Sequence, residues 1–435
     1  MMWLRGLLCV GLLLSSGSLA LPTGHAQPEL RDLDATAQAI IADMTPAQRV
    51  GQLVVVTFEG TLPSTTVAQL TQDYHVGGVM LLAAYQNIAG GANSPAQIRF
   101  LSNELQSGVY SAAARAGLPY VPLWIGTTHS GDGFPGTQIT AGTTPLPSYL
   151  ALGATWEPAD ARLTGRIAGT ELAAMGINLL FSPALQLAGP ASAPGVATFG
   201  GDPGWVARLA EAYFEGLLEG SETRLMIVAE GLPGVGTLPA LPGDVIPVLP
   251  RTLDNLSAAE LRPFATLLAD AAGPMGGVQC ANLRYLLPGT HPASQPPLCL
   301  DEPRLAAVLQ AAEVGLWRVD GLLMSDWLGS EALQEWAQDA RFPSRQVARD
   351  ALMAGNDVLL LGSPTPTDNP FTLEVIADTL AFFEQSYNSD PLFKARVDTA
   401  LLRVIKRKLA LYEGDWSLPQ VEVSSEALAQ VGRVQ

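Results

Sequence analysis

Eight short runs of consecutive apolar residues recur along the chain, at 52–58, 77–82, 121–127, 177–183, 224–229, 277–282, 320–325 and 357–361. Apolar side chains at successive positions, not at every second one, suit strands covered on both faces. Between them lie longer stretches with helical periodicity, among them 95–116, 158–175, 203–219, 257–272 and 301–315. Several open on Asp-Pro, Glu-Pro or Ser-Pro, a capping side chain followed by a proline that fits the first helical turn. Eight strands alternating with helices predict an α/β fold, a single (β/α)8 TIM-like barrel, with a doubly wound sheet as the alternative.

The composition narrows this further. Of 435 residues, 48% are hydrophobic and 15% charged, enough to bury a large core and too apolar for a disordered chain. Forty-three glycines and 33 prolines suit a fold with many strand–helix turns. The net charge of −17, with no Lys/Arg-rich run, excludes nucleic acid and anionic membrane surfaces as partners.

At the N-terminus, Arg5 followed by the apolar stretch 7–14 reads as a signal for export. Small-x-small patterns place cleavage after Ala20 or Ala26; an uncleaved anchor is the alternative. The domains expected are a signal at 1–26, a barrel over 30–415 and a C-terminal tail at 416–435. An exported chain keeps Cys280 and Cys299, which predicts a disulfide across the proline-rich segment between them; two buried unpaired thiols are the alternative. His75, His129 and His291 are scattered and none has zinc-ligand spacing. There is no phosphate-binding loop, no dinucleotide fingerprint and no serine-hydrolase elbow, so neither metal nor cofactor is expected.

In such a barrel the chemistry belongs to the loops at the strands' carboxyl ends. Those loops hold Thr128 and His129 after the third run and Gln186 after the fourth. Glu230-Gly231-Leu232-Pro233-Gly234 follows the fifth, Asn282 the sixth, and Asp326-Trp327 the seventh.

The order of these segments resembles the N-terminal catalytic domain of glycoside hydrolase family 3, most of all its single-domain β-N-acetylhexosaminidases. The resemblance rests on Met44-Thr45-Pro46-Ala47-Gln48-Arg49-Val50-Gly51-Gln52-Leu53, Val76-Gly77-Gly78-Val79-Met80-Leu81 and Ala151-Leu152-Gly153-Ala154-Thr155. It continues through Phe181-Ser182-Pro183-Ala184-Leu185, Phe199-Gly200-Gly201-Asp202-Pro203, Met324-Ser325-Asp326-Trp327 and Ala354-Gly355-Asn356-Asp357. It implies a barrel that hydrolyses O-glycosyl bonds through an aspartate nucleophile, here Asp326.

Other motif positions depart from the family. Thr128 stands where an aspartate holds a sugar hydroxyl, Gln186 replaces another aspartate, and Ala197 replaces an arginine. The Lys-His-Phe-Pro-Gly-His-Gly motif reads Glu230-Gly231-Leu232-Pro233-Gly234-Val235-Gly236, and Asn282 replaces a histidine. The motif carrying the general acid has no counterpart. Glu230 is the candidate replacement acid/base, and Trp327, His129 and Asn282 are candidates for substrate binding. Their plainer readings are a helix-capping aspartate, a solvated acid, a packed tryptophan and ordinary loop residues. The function expected is an exported family 3 homologue with impaired or lost catalysis and a carbohydrate ligand. The alternative is a non-catalytic barrel that binds a glycan or a protein.

Overall fold

The computed structural model describes residues 30–432, apart from 132, 134–135, 190–194, 239–242, 270–275, 286–294, 339–340 and 368. The expected export segment and His291 lie outside the described residues.

Ten strands are present among the described residues: β1 (Val54–Thr57), β2 (Gly78–Met80), β3 (Trp124–Thr128), β4 (Leu179–Ala184), β5 (Met226–Leu232), β6 (Val248–Leu249), β7 (Gly277–Cys280), β8 (Arg284–Tyr285), β9 (Leu322–Trp327) and β10 (Val358–Leu361). Eight of them close into a parallel barrel in the order β1-β10-β9-β7-β5-β4-β3-β2. This is the (β/α)8-type barrel expected, and each barrel strand falls within or beside one of the eight apolar runs. All of β1, β4, β7 and β10 is buried, as strands with side chains on one face inside the barrel and on the other under helices must be. The two-residue strands β6 and β8 pair with each other apart from the barrel, within the insertions that follow β5 and β7.

Helix starts follow the capping chemistry. Asp202 accepts from the Trp205 N–H ahead of helix Pro203–Ser221, and Asp301 accepts from Arg304 N–H ahead of helix Glu302–Ala311. The helix expected over 257–272 is instead two short ones, Leu253–Ala258 and Arg262–Leu268, separated at Ala259, whose backbone (φ −133°, ψ −78°) leaves the helical region. Helices Pro158–Ala174 and Pro203–Ser221 approach backbone to backbone. A Cβ at Gly216 would lie 2.0 Å from the Arg162 carbonyl oxygen, so only glycine fits there.

A final long helix, Pro391–Leu411, seals the floor at the strands' amino ends. There the Asp357 carboxylate, wholly buried just before β10, takes ion pairs from Arg318 (2.7 Å), Arg396 (2.9 Å) and Arg403 (3.1 Å) and a hydrogen bond from the Leu323 N–H. Burial alone would push this carboxyl up, but the three guanidiniums outweigh it and hold it below the usual carboxylate range. On the same helix the buried Lys408 side chain donates to Gln52 Oε1 (2.8 Å) and the Gly77 carbonyl (2.7 Å) and lies 4.7 Å from the Trp124 ring centre, while burial pushes its pKa well below the usual lysine range. Beyond Trp416 the chain makes two short helical turns and returns along the barrel. There Val423 O accepts from Arg99 and Asn103, and Gly432 N donates to Glu171. Among the described residues no helix is long and apolar enough to cross a membrane.

Candidate active site

The carboxyl ends of three barrel strands carry an irregularity. Between Phe181 and Ala184, β4 has one residue more than β5 opposite; between Ala229 and Leu232, β5 has one more than β7; between Met324 and Trp327, β9 has one more than β10. The extra residues fall at Ser182 and Pro183, at Glu230 and Gly231, and at Ser325 and Asp326. A bulge leaves a residue out of the ladder, bends the strand and re-aims its side chains. Both candidate carboxylates therefore sit where the strands stop being regular, at the mouth of the barrel.

They share one cavity of about 460 Å³, lined by Gln186, Glu230, Gln279, Asn282, Asp326 and Ser330 and walled by apolar residues of the insertions, including Leu238, Val245 and Pro247. No lysine, arginine or histidine among the described residues lines it. A larger cavity, about 750 Å³, lies at the opposite end, where helices Pro158–Ala174 and Pro203–Ser221 finish against the C-terminal turns; it is far from the strands' carboxyl ends.

Asp326 is held by backbone. Its Oδ2 accepts from the Asn282 N–H (2.9 Å) and its Oδ1 from the Trp327 N–H (2.8 Å). Burial pushes its carboxyl above the usual range, and the two N–H donors only partly oppose that. The Asn282 side chain, 7% exposed, donates through Nδ2 to the Trp327 carbonyl (3.1 Å), while its Oδ1 has no hydrogen-bond partner. Ser330 stands at the N-cap of helix Glu331–Ala337 without capping it, and its hydroxyl likewise has no partner. Glu230 is half-buried, and the charge on it reaches the Tyr149 hydroxyl behind it. That phenol, raised chiefly by burial and further by Glu230, contacts the Ser182 hydroxyl.

The remaining candidates lie elsewhere. His129 is buried beneath the β3 loop, its carbonyl accepting from the Ser182 hydroxyl (3.3 Å), and it does not line the cavity. Trp327 contributes backbone groups to Asp326 and Asn282 while its ring packs, half-buried, against the core. The Thr128 hydroxyl accepts from Gln138 (3.3 Å) and does not line the cavity either.

The expected disulfide is corrected: Cys280 and Cys299 are both free, buried thiols. They contact each other directly behind Asp326, and burial, with the contact to Cys280 adding to it, pushes the Cys299 thiol well up. A thiol so disposed stays protonated and inert. Gln279 and Ser330 were not singled out by the sequence. A polar residue inside the apolar run of β7 was the available signal for Gln279; Ser330 had none.

With the geometry in hand, comparison with known proteins is specific. Residues 45–406 match the model of the glycosyl hydrolase family 3 N terminal domain. A β-hexosaminidase of Neisseria gonorrhoeae is 30% identical over 230 residues, covering 51% of this chain and 57% of that protein. One from Chromobacterium violaceum is 30% identical over 295 residues, covering 66% of this chain and 71% of that protein. The solved structure of a glycoside hydrolase family 3 β-N-acetylglucosaminidase from Paenibacillus sp. str. FPU-7 superposes with a TM-score of 0.71 at 26% identity, over 86% of this chain and 64% of that one. The chain thus spans somewhat over half the length of the first curated relative it matches. From Thr45 to Lys406, and so through the whole barrel, this chain belongs to the glycosyl hydrolase family 3 N-terminal domain family.

Proposed function

We propose that this chain binds a β-linked glycan at the barrel mouth, outside the cytoplasm, and hydrolyses ordinary β-glycosides only feebly. One observation carries the reading: the cavity at the strands' carboxyl ends holds two carboxylates, Glu230 and Asp326, and no cation lines it among the described residues. Retaining hydrolysis needs an ionised nucleophile and a proton donor about 5–5.5 Å away, with polar groups gripping the sugar so that binding energy distorts the ring. Asp326 stands in the nucleophile's place, but burial raises its carboxyl and no cation in the cavity lowers it again. A nucleophile that holds its proton more tightly attacks less well, and loss of a dedicated proton donor costs about 10²–10⁴ in rate. The aspartates, arginine, lysine and histidines that the family uses around the sugar are replaced here. The relatives named β-hexosaminidase and β-N-acetylglucosaminidase support a hexosamine as the sugar unit.

A second reading, in which Glu230 serves as the acid/base, is favoured by its sharing the cavity with Asp326. Aryl β-N-acetylglucosaminide and aryl β-glucoside separate the two. Negligible turnover of both, with retained binding of β-linked oligosaccharides, supports weak catalysis. Ready turnover abolished by Asp326→Asn and strongly reduced by Glu230→Gln overturns it in favour of the second reading.

A further inference from the structure

Two tryptophans stand together on the outer rim of the barrel. Trp156 ends the short helix Tyr149–Thr155, and Trp205 lies in the first turn of helix Pro203–Ser221. Their rings stack, with centres 4.9 Å apart and planes 26° from parallel. Trp205 is anchored: its Nε1 donates to the Gly153 carbonyl (3.2 Å), and the Arg208 guanidinium lies 5.6 Å from its ring centre. Trp156 is 71% exposed. Folding gains little from an indole there. Its backbone has φ 58°, the left-handed conformation in which a helix end ordinarily takes glycine or asparagine and which strains a bulky residue. Leu150 and Val196, joined by the hydrogen bond from the Leu150 N–H to the Val196 carbonyl (3.1 Å), are exposed apolar residues of the same two segments. A strained, solvated indole with exposed apolar neighbours marks an interaction site.

The pair lies on the mouth's side of the molecule. Helices of a parallel barrel run back from the strands' carboxyl ends, and Trp156 and Trp205 sit at the amino ends of helices Pro158–Ala174 and Pro203–Ser221. Contacts connect them to the cavity. Gln186, which lines it, accepts through its carbonyl from the Thr198 hydroxyl (2.6 Å). The next residue, Phe199, lies so close to Gly153 that a Cβ there would be 2.0 Å from the Phe199 carbonyl oxygen.

Taking the mouth as a glycan site, on which this inference rests, we propose that the Trp156–Trp205 pair is a second, surface site, on which sugar rings of a β-linked glycan chain stack outside the cavity. A pyranose with equatorial substituents offers an apolar face of axial C–H groups to an aromatic ring. Its hydroxyls project from the edge, and the exposed Arg208 guanidinium beside Trp205 supplies donors for them. Other occupants fit less well. Glu157 adjoins Trp156, Asp202 accepts from the Trp205 N–H (2.7 Å), and the net charge is −17, all of which repels an anionic membrane surface. One exposed indole with two smaller apolar neighbours falls short of the roughly 800 Å² per partner of a stable protein interface.

The test is co-sedimentation of the whole protein with the insoluble β-1,4-linked polymer of N-acetylglucosamine, using Trp156→Gly and Trp156→Phe as variants. Trp156→Gly removes the ring and relieves the left-handed backbone. It should leave the urea-unfolding midpoint nearly unchanged and weaken polymer binding about tenfold, the order of one aromatic contact. Trp156→Phe, which keeps an aromatic face, should recover most of that loss. Polymer binding by Trp156→Gly equal to that of the parent overturns the inference and leaves the glycan reading of the mouth intact, as does a parent that binds the β-1,4-linked disaccharide but not the polymer. A parent that binds neither removes both. A large fall in the unfolding midpoint of Trp156→Gly would make the ring a packing group and overturn the inference. Self-association, or binding to phosphatidylcholine vesicles, that disappears with Trp156→Gly would assign the pair to a second copy or a membrane instead.

Discussion

The two ends of the barrel handle buried charge in opposite ways. At the floor the Asp357 carboxylate is surrounded by three guanidiniums and a backbone N–H, which together outweigh its burial. At the mouth, Asp326 is buried with backbone donors alone, Glu230 shares its cavity, and Asn282 Oδ1 has no partner. Burying a carboxylate is tolerable when charge and hydrogen bonds replace the lost water, and costly otherwise. Unpartnered amide oxygens occur at both ends, Asn356 Oδ1 at the floor and Asn282 Oδ1 at the mouth, so the difference lies in the two aspartates: Asp357 has charge partners that outweigh its burial and Asp326 does not. This is the division of labour a parallel barrel permits, since the loops at the strands' carboxyl ends vary without disturbing the closure beneath.

Breaking the floor should have the largest effect. Asp357→Ala leaves Arg318, Arg396 and Arg403 facing one another, and losing one partner of a buried charged cluster costs on the order of 3–5 kcal/mol. Urea unfolding should show the midpoint falling by a corresponding amount; a change under about 0.5 kcal/mol, the usual surface effect, would mean the cluster is not what closes the floor. The same cluster fixes a pH dependence. Because the folded-state pKa of Asp357 is depressed, its contribution is present above the unfolded carboxyl pKa and is lost as pH falls through the lower folded value. The Asp357→Ala deficit should accordingly shrink in strong acid.

The mouth should respond with the opposite sign. The folded-state pKa of Asp326 is raised, so its stabilising contribution is full below the unfolded pKa and disappears as pH rises through the folded value. In its ionised form Asp326 thus works against folding. Glu230→Lys puts a cation on the wall of the cavity that Asp326 also lines and should lower the Asp326 pKa, which carboxyl-carbon NMR titration reads directly. An unchanged or raised pKa would show that the two side chains do not sense each other.

The smallest effect concerns the thiols behind Asp326. In the native state Cys280 and Cys299 should resist alkylation, because both are buried and the Cys299 thiol is pushed well up, and both should react once the chain is unfolded in denaturant. Rapid native-state labelling of either would mean that the mouth opens far more readily than its packing suggests.

How much of this was legible in the sequence follows from what each feature depends on. The barrel strands were legible because a strand covered on both faces writes its burial into consecutive apolar residues, as Val54–Thr57 and Val358–Leu361 do. The pair β6 and β8 was not, since two residues carry no periodicity. The break in the helix expected over 257–272 was hidden because its apolar spacing continues across Ala259. The bulges at Glu230 and Asp326 are offsets between neighbouring strands and leave no trace within either one. Asp326 and Glu230 were singled out from motif positions, but their meeting depends on β7 being the one strand between β5 and β9 in the closed order. For the cysteines, spacing showed that two thiols were available and said nothing of whether they pair.

The most direct test of the contrast between floor and mouth is a carboxyl-carbon NMR titration of the protein with pH. The account predicts that Asp357 takes up its proton below the usual carboxylate range and Asp326 above it. The same pKa for both, or Asp357 protonating at the higher pH, would contradict it.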